Sequence, residues 1–222
     1  MIICENKYGK YCLPAVSGDN IAPELHRRGK QHEPATVRFI MDNSSGGDVV
    51  HAGAYFGDFL PALSSGVDEG RKVIAFEPCL EHYKCAKKTL ELNNIKNVEL
   101  HNAALGQCSG EARLRTHIKG VHEGGRSKIA DDGDEVVKVV AIDDIIGSTR
   151  VSVIHLDVEH YEKQALMGAI ETIKKYLPLF IVEDIGKHPL NIDGGAWLSE
   201  QFSPMGYRPY AATNHNVSYK VF

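Results

Sequence analysis

One stretch constrains this chain more than any other: residues 47–59, G-D-V-V-H-A-G-A-Y-F-G-D-F. Val49 and Val50 begin a short apolar run that stops at the small residues Ala52, Gly53 and Ala54, and Gly57 then opens a helix-like segment. A strand that ends in a glycine turn and hands over to a helix is the ligand-binding corner of an open α/β sheet. Gly53 lets the backbone approach a ligand closely, and Gly57 lets the next helix pack tightly on the strand. Taken alone, the stretch reads equally well as an ordinary glycine turn, so its companions decide.

Those companions recur along the chain. Residues 72–76 (K-V-I-A-F), 98–100, 151–156 (V-S-V-I-H-L) and 179–182 read as buried strands. Helical spacings separate them, with Tyr83, Ala86 and Leu90 in one segment and a long amphipathic helix running from Tyr161 to Leu177 in another. Alternating strands and helices predict parallel pairing with right-handed crossovers. Weak alternation at 111–117 and 136–140 predicts an inserted hairpin around the polar segment 119–134, and 207–211 with 217–222 predicts a closing antiparallel pair. The expected fold is therefore α/β, a doubly wound, mostly parallel seven-stranded sheet with an inserted hairpin and an antiparallel C-terminal strand pair. Residues 36–222 form the domain, and residues 1–35 an N-terminal arm, irregular apart from a strand at Lys10–Leu13 and solvated at the basic end of 24–30.

Composition narrows the function classes. A net charge of −4 gives no basic stripe for nucleic acid, and no apolar run approaches the ~20 residues of a membrane span. The N-terminus lacks the basic start and long apolar stretch of a signal peptide. Five cysteines without a C-x-x-C pair read as reduced thiols, which points to the cytoplasm.

Doubly wound sheets bind ligands at the carboxyl ends of their strands, here occupied by Gly53, Glu77, Asn102, Asp157 and Glu183. Glu77 follows Gly53 by roughly the ~20 residues expected of an acid that accepts both hydroxyls of a ribose. A dinucleotide corner needs G-x-G-x-x-G, whereas Gly53 and Gly57 lack a glycine between them. That favours a nucleoside cofactor without a pyrophosphate, such as S-adenosylmethionine.

Six segments carry a resemblance in this order: V-V-H-A-G-A-Y-F-G-D-F (49–59), V-I-A-F-E-P (73–78), N-A-A-L-G (102–106), A-I-D-D-I (141–145), L-D-V-E-H-Y-E-K-Q-A-L-M-G-A (156–169) and P-L-F-I-V-E-D (178–184). Together they resemble the FkbM-type S-adenosylmethionine-dependent methyltransferases, a family of class I, Rossmann-like O-methyltransferases acting on sugars and natural products. The resemblance implies that Gly53–Phe59, with Gly53, Ala54, Tyr55, Gly57, Asp58 and Phe59 as contacts, hold the methionine moiety, that Glu77 serves the ribose, with Pro78 a further cofactor contact, and that Asn102, Ala103 and Ala104 lie on the adenine side. His51 stands where the family usually has an acid, which makes it a cofactor contact of altered chemistry.

Methyl transfer to a hydroxyl needs an aligned acceptor and a group that takes its proton. Asp157, at the tip of the central strand beside the cofactor, is the expected proton acceptor, with His160 next; Glu159 is read as favouring the N-terminus of the following helix. Asp157 with Glu183 (or Asp184) also offers oxygen ligands for Mg²⁺, the less favoured reading beside structural carboxylates. Asp143 and Asp144 are expected to cap the turn into Ile145–Ile146. The function these residues point to is O-methylation of a small-molecule or glycan acceptor, whose pocket falls to the arm, 119–134 and 185–197. A nicotinamide-dependent oxidoreductase and a non-catalytic nucleoside-binding module are the alternatives.

Overall fold

A computed structural model describes residues 2–15, 21–183, 196–213 and 216–222. Its central sheet contains seven strands: β1 (Asp48–Ala52), β2 (Val73–Phe76), β3 (Val98–His101), β4 (Val151–Leu156), β5 (Leu179–Glu183), β6 (Tyr207–Thr213) and β7 (Asn216–Val221). Their spatial order is 3-2-1-4-5-7-6. β1 to β5 run parallel, whereas β7 is antiparallel to both β5 and β6. The order reverses between β1 and β4, and that switch point opens a crevice at the strand tips.

Eight helices are described: α1 (Ile21–Arg27), α2 (Pro34–Asn43), α3 (Leu60–Gly66), α4 (Leu80–Leu92), α5 (Ile142–Ile146), α6 (Glu162–Met167), α7 (Ile170–Tyr176) and α8 (Ala196–Phe202). Alternate strand residues face opposite sides of the sheet. Val49, Val73, Ala75, Val153 and Ile181 accordingly pack with α2, α3 and α4. Val50, Ile74, Phe76, Ile154, Phe180 and Val182 pack with α5 to α8 on the other face.

Two expectations change. The long helix after β4 is two short ones, α6 and α7, broken at Gly168. A Cβ there would strike the Gly106 carbonyl oxygen, so the chain approaches too closely for a continuous helix, and Asp143 N–H donates to Gly168 O at 2.9 Å. Asp143 also caps a helix other than the expected one. Its carboxylate accepts from the N–H groups of Glu171 (3.0 Å) and Thr172 (2.8 Å) at the start of α7, while Asp144 takes the Ser109 hydroxyl at 2.6 Å.

The described part of the arm holds more regular structure than the one strand expected. Residues Ile2–Asn6 and Gly9–Leu13 form an antiparallel hairpin whose Tyr11, Cys12 and Leu13 are fully buried. The Thr89 hydroxyl of α4 accepts from Cys12 N–H (3.0 Å) and donates to Phe56 O (2.9 Å), so the hairpin is bonded through α4 to the glycine corner. The insert is a four-stranded sheet made of Ala104–Leu105, Gly110–Arg115, Lys128–Ile129 and Glu135–Val140. A small hairpin, His117–Ile118 with Val121–His122, projects from it.

Candidate functional site

The tips of β1, β2, β4 and β5 open into one cavity of about 390 Å³. Gly53 makes its floor possible. With φ at +85° and no space for a Cβ beside the Asp157 carbonyl, it lets β1 and β4 stay paired to their tips, where Asp157 N–H donates to Ala52 O at 3.2 Å. The Gly53 and Ala54 N–H groups both donate to Phe76 O at the end of β2 (3.2 and 3.0 Å). Gly57, with φ at +82°, faces Ala86 and Thr89 of α4 and Leu60 of α3, so its missing side chain accommodates α4 as well as the helix that follows it.

Glu77 is buried at the end of β2 and faces the cavity. Its two carboxylate oxygens accept from Tyr55 N–H (2.7 Å) and Cys79 N–H (2.9 Å). Those bonds aim an acceptor-only group whose remaining lone pairs can take hydroxyls. Tyr55 reaches this position in the left-handed region, at φ 50°. Asn102 lies outside the cavity lining and instead donates to the carbonyls of Glu77 and Pro78, both at 2.9 Å, which fixes the turn from the neighbouring strand.

His51 and His155 are in register on β1 and β4, and both face the cavity. Their Nδ1 atoms are 2.9 Å apart, and His51 stacks on Phe59 with ring centroids at 5.4 Å. Burial holds both below the usual histidine range, with the neighbouring His155 adding to the effect at His51, and His155 reaches about 4. Two neutral rings sharing one Nδ1 proton satisfy the contact. Asp58 lies nearby with His32 Nδ1 at 3.4 Å from its carboxylate.

The opposite wall is acidic. Asp157, Glu159, Glu183 and Glu33 all line the cavity. Burial first, and then the charges of Glu183, Glu159, Glu33 and Glu162, hold the Asp157 carboxyl well above the usual range. Burial with Glu183 and Glu162 lifts Glu159 to about 7, against the pull of Lys128 and Arg126. Glu159 therefore faces the site, whereas the expected helix N-terminus begins only at Glu162. The Glu162 carboxylate accepts from Val158 and His160 N–H (3.2 and 3.3 Å), holding a loop in which Glu159 and His160 are both left-handed, at φ 52° and 76°. His160 is exposed and outside the cavity lining.

Thus the structure brings together His51, Gly53, Tyr55, Asp58, Phe59, Glu77, Pro78, Ala103, Asp157 and Glu183, while Ala54, Gly57, Asn102 and His160 lie behind or outside the lining. His32 and Glu33 of the arm and Arg126 and Lys128 of the insert also line the cavity, in two of the segments expected to build the acceptor pocket, whereas sequence reasoning did not assign His82 or His155 to the cofactor site. His155 had a signal, a lone imidazole inside the apolar strand V-S-V-I-H-L. Asp184 and the expected acceptor loop from residue 185 to residue 195 lie outside the described residues. Among the described residues, the one set of three donors within metal-binding reach of one another is Cys79, His82 and His122, so Asp157 and Glu183 have no preformed third ligand.

The donor set fits S-adenosylmethionine. Four carboxylates face a cavity that would receive a sulfonium and an ammonium, and Glu77 stands ready for ribose hydroxyls at the far end. Among the described residues, no helix is long and apolar enough to cross a membrane.

Comparisons with known proteins agree. The structure is similar to methyltransferase FkbM from Methylobacillus flagellatus KT, with 18% identity and a TM-score of 0.53 over 79% of this chain and 44% of that one. The chain thus spans under half the length of that relative. Similar folds occur in a putative rRNA-methylase from Clostridium thermocellum (12% identity, TM-score 0.52, 85% and 94% covered) and precorrin-6y C5,15-methyltransferase from Geobacter metallireducens GS-15 (12%, 0.50, 93% and 91%). At such identities the likeness is one of fold. No curated protein matches the chain. A family model described as "Methyltransferase FkbM domain" matches residues 51–208, more than two thirds of the sequence and most of the cavity wall. The chain belongs to the FkbM family of S-adenosylmethionine-dependent methyltransferases.

Proposed function

We propose that this protein methylates a hydroxyl oxygen of a small polar acceptor, a sugar or glycan, with Asp157 taking the hydroxyl proton. The observation that carries this reading is the position and state of Asp157. It ends the central strand at the cavity, and like-charged neighbours and burial make it more basic than an ordinary carboxylate. When bound, S-adenosylmethionine supplies a methyl group on a positively charged sulfur. Asp157 would hold the acceptor hydroxyl at the strand tip and take its proton as that oxygen receives the methyl group.

His51, Gly53, Tyr55, Asp58, Phe59, Glu77 and Pro78 are the cofactor contacts in this reading, with Ala103 toward the adenine. Arg126, Ser127 and Lys128 of the insert and Ile21 of the arm close the acceptor side, and their mixed polar lining suits hydroxyl-rich molecules. The same carboxylates support a Mg²⁺ variant of the proposal, because Glu183 is the charge that most raises Asp157 and a cation between them would relieve that repulsion. We place the activity in the cytoplasm.

A panel of glycosides, sugar nucleotides and free sugars, assayed for S-adenosylhomocysteine with Mg²⁺ and with EDTA, tests the reading. Turnover with a hydroxylated acceptor is expected. Methylation confined to nitrogen or carbon acceptors would overturn it, and full activity in EDTA would remove the Mg²⁺ variant.

A further inference from the structure

Behind Glu77, where the wall of the cavity meets the insert, three donors of another kind converge. Cys79, His82 and His122 are all buried, and one ligand atom from each lies within 4.8 Å of the others. Cys79 is the N-cap residue of α4 and His82 sits one turn inside it, so the C-x-x-H spacing puts thiol and imidazole on one side of the helix start. His122 arrives from the small hairpin of the insert, and its ring meets that of His82 edge-on at 5.1 Å.

Two further features point to a ligand. His82 is 1% exposed, yet its Nε2 has no hydrogen-bond partner. Leaving such an atom unpaired is costly, so a buried ring nitrogen without a partner calls for something to fill the place. The other nitrogen, Nδ1, faces Glu77 Oε1 at 3.7 Å. A carboxylate behind one imidazole nitrogen, with the other nitrogen turned to a metal, is the outer-shell arrangement that orients zinc-bound histidines.

We infer that Cys79, His82 and His122 form a Zn²⁺ site linking the insert to the cofactor wall. One thiolate and two imidazoles are ligands that a soft-to-borderline ion prefers over Mg²⁺ or Ca²⁺. Ligation requires the thiolate form of cysteine and a ring nitrogen free of its proton on each histidine, so affinity rises with pH. His122 now accepts the Gly124 N–H at Nδ1 (2.8 Å), which leaves its proton on Nε2. Ligation through Nε2 moves that proton to Nδ1 and gives up the Gly124 bond. Zn²⁺ binding therefore readjusts the turn at 124–126, whose Gly125 and Arg126 line the cavity. The site joins two parts that are far apart in sequence, the start of α4 and the small hairpin of the insert.

The test uses the full chain, reduced and stripped of metal, titrated with Co²⁺ as a spectroscopic stand-in for Zn²⁺. One equivalent is expected to give a thiolate-to-cobalt charge-transfer band and visible d–d bands of tetrahedral type, both abolished by added Zn²⁺. Cys79→Ser should remove the charge-transfer band. His122→Gln, on a surface hairpin where folding is least at risk, should weaken Co²⁺ binding by at least the ~10–100-fold that an outer-shell change costs. Cys108→Ser, which alters an exposed thiol far from the cluster in sequence, should leave the spectrum unchanged. Circular dichroism confirms that each variant is folded. Absence of a charge-transfer band in the wild-type chain, its persistence in Cys79→Ser, or unaltered Co²⁺ affinity in His122→Gln overturns the site. None of these readouts depends on methyl transfer, so a failure here is separable from a failure of the proposed activity.

Discussion

His51 and His155 meet Nδ1 to Nδ1 at 2.9 Å across the switch point of the sheet, each a cavity residue and each unpartnered at Nε2. Because burial lowers both, the folded chain holds them neutral where an unfolded chain would begin to protonate them. For His155, folded near 4 against 6.5 unfolded, the sign is clear. Its contribution is complete above pH 6.5 and is lost as pH falls towards 4, by up to about 3 kcal/mol. Glu159 and Glu162, raised to about 7, act in the opposite sense over an overlapping window. The measurable quantity is therefore a difference. His155→Gln is expected to flatten the loss of stability on acidification relative to wild type, read as urea midpoints between about pH 7 and pH 4.5. Parallel curves would refute the assignment.

Asp157→Asn is nearly isosteric but cannot take the acceptor's proton. With Asp157 as the proton acceptor, kcat falls by roughly 10²–10⁴-fold while cofactor binding stays measurable. His160→Gln, outside the cavity lining, is expected to remain within about threefold of wild type. Reversal of that order in single-turnover measurements would move the base to His160.

The acidic wall should distinguish the charged cofactor from its neutral product. A sulfonium favours ionised carboxylates, and S-adenosylhomocysteine lacks that charge. The affinity ratio in favour of S-adenosylmethionine is expected to grow from about pH 6 to pH 8 as Glu159 ionises, and to depend less on pH in Glu159→Gln. Calorimetric titrations of both ligands at several pH values provide the measurement. A ratio independent of pH would separate Glu159 from the sulfur.

Glu77→Gln keeps one acceptor and replaces the other with a donor facing a backbone N–H. One of the two amides it holds, Tyr55 or Cys79, loses its partner, and the ribose loses a charged acceptor. Cofactor affinity should fall by roughly 10–100-fold, equivalent to about 1.5–3 kcal/mol. The thermal shift produced by S-adenosylhomocysteine should shrink in step, and an undiminished shift would argue against ribose contact.

Two glycines of similar conformation separate strain from collision. Gly70, at φ 76°, has open space around it, so Gly70→Ala should cost only the ~1–2 kcal/mol of a left-handed alanine. Gly53→Ala adds a clash with the Asp157 carbonyl and must part the tips of β1 and β4. Its loss of stability should exceed that of Gly70→Ala by at least ~2 kcal/mol, together with loss of cofactor binding. Equal denaturation midpoints would contradict the close approach.

The seven strands were legible because apolar runs of buried parallel strands stop sharply at Gly53, Glu77, Asp157 and Glu183. Membership of the methyltransferase family also sets aside the nicotinamide alternative, in line with the missing glycine between Gly53 and Gly57. Tertiary approach was not legible. Nothing local in residues 161–177 reveals that Gly168 must pass the Gly106 carbonyl, so the periodicity reads as one helix. Likewise, His32 and Glu33 enter the site through tertiary contacts, His32 with Asp58 and Glu33 with Asn216, and His155 is a partner of His51 through the register of β1 with β4. The polarity of 24–30 suggested a solvated arm, whereas His26 in that segment is fully buried against Tyr11 and Phe56.

The Thr89 hydroxyl, shared between Cys12 N–H and Phe56 O, has a consequence for where this protein can be cut. Family likeness begins at residue 51, inside β1, and a boundary drawn ahead of that strand at residue 36 looks harmless in sequence. Such a boundary would expose the side of α4 that now receives Cys12, strip the Phe56 ring of its contacts with Tyr11 and His26, and take Gln31 away from the Asp58 carbonyl it holds at 3.0 Å. The stretch that the family model matches is shorter than the stretch these contacts tie together.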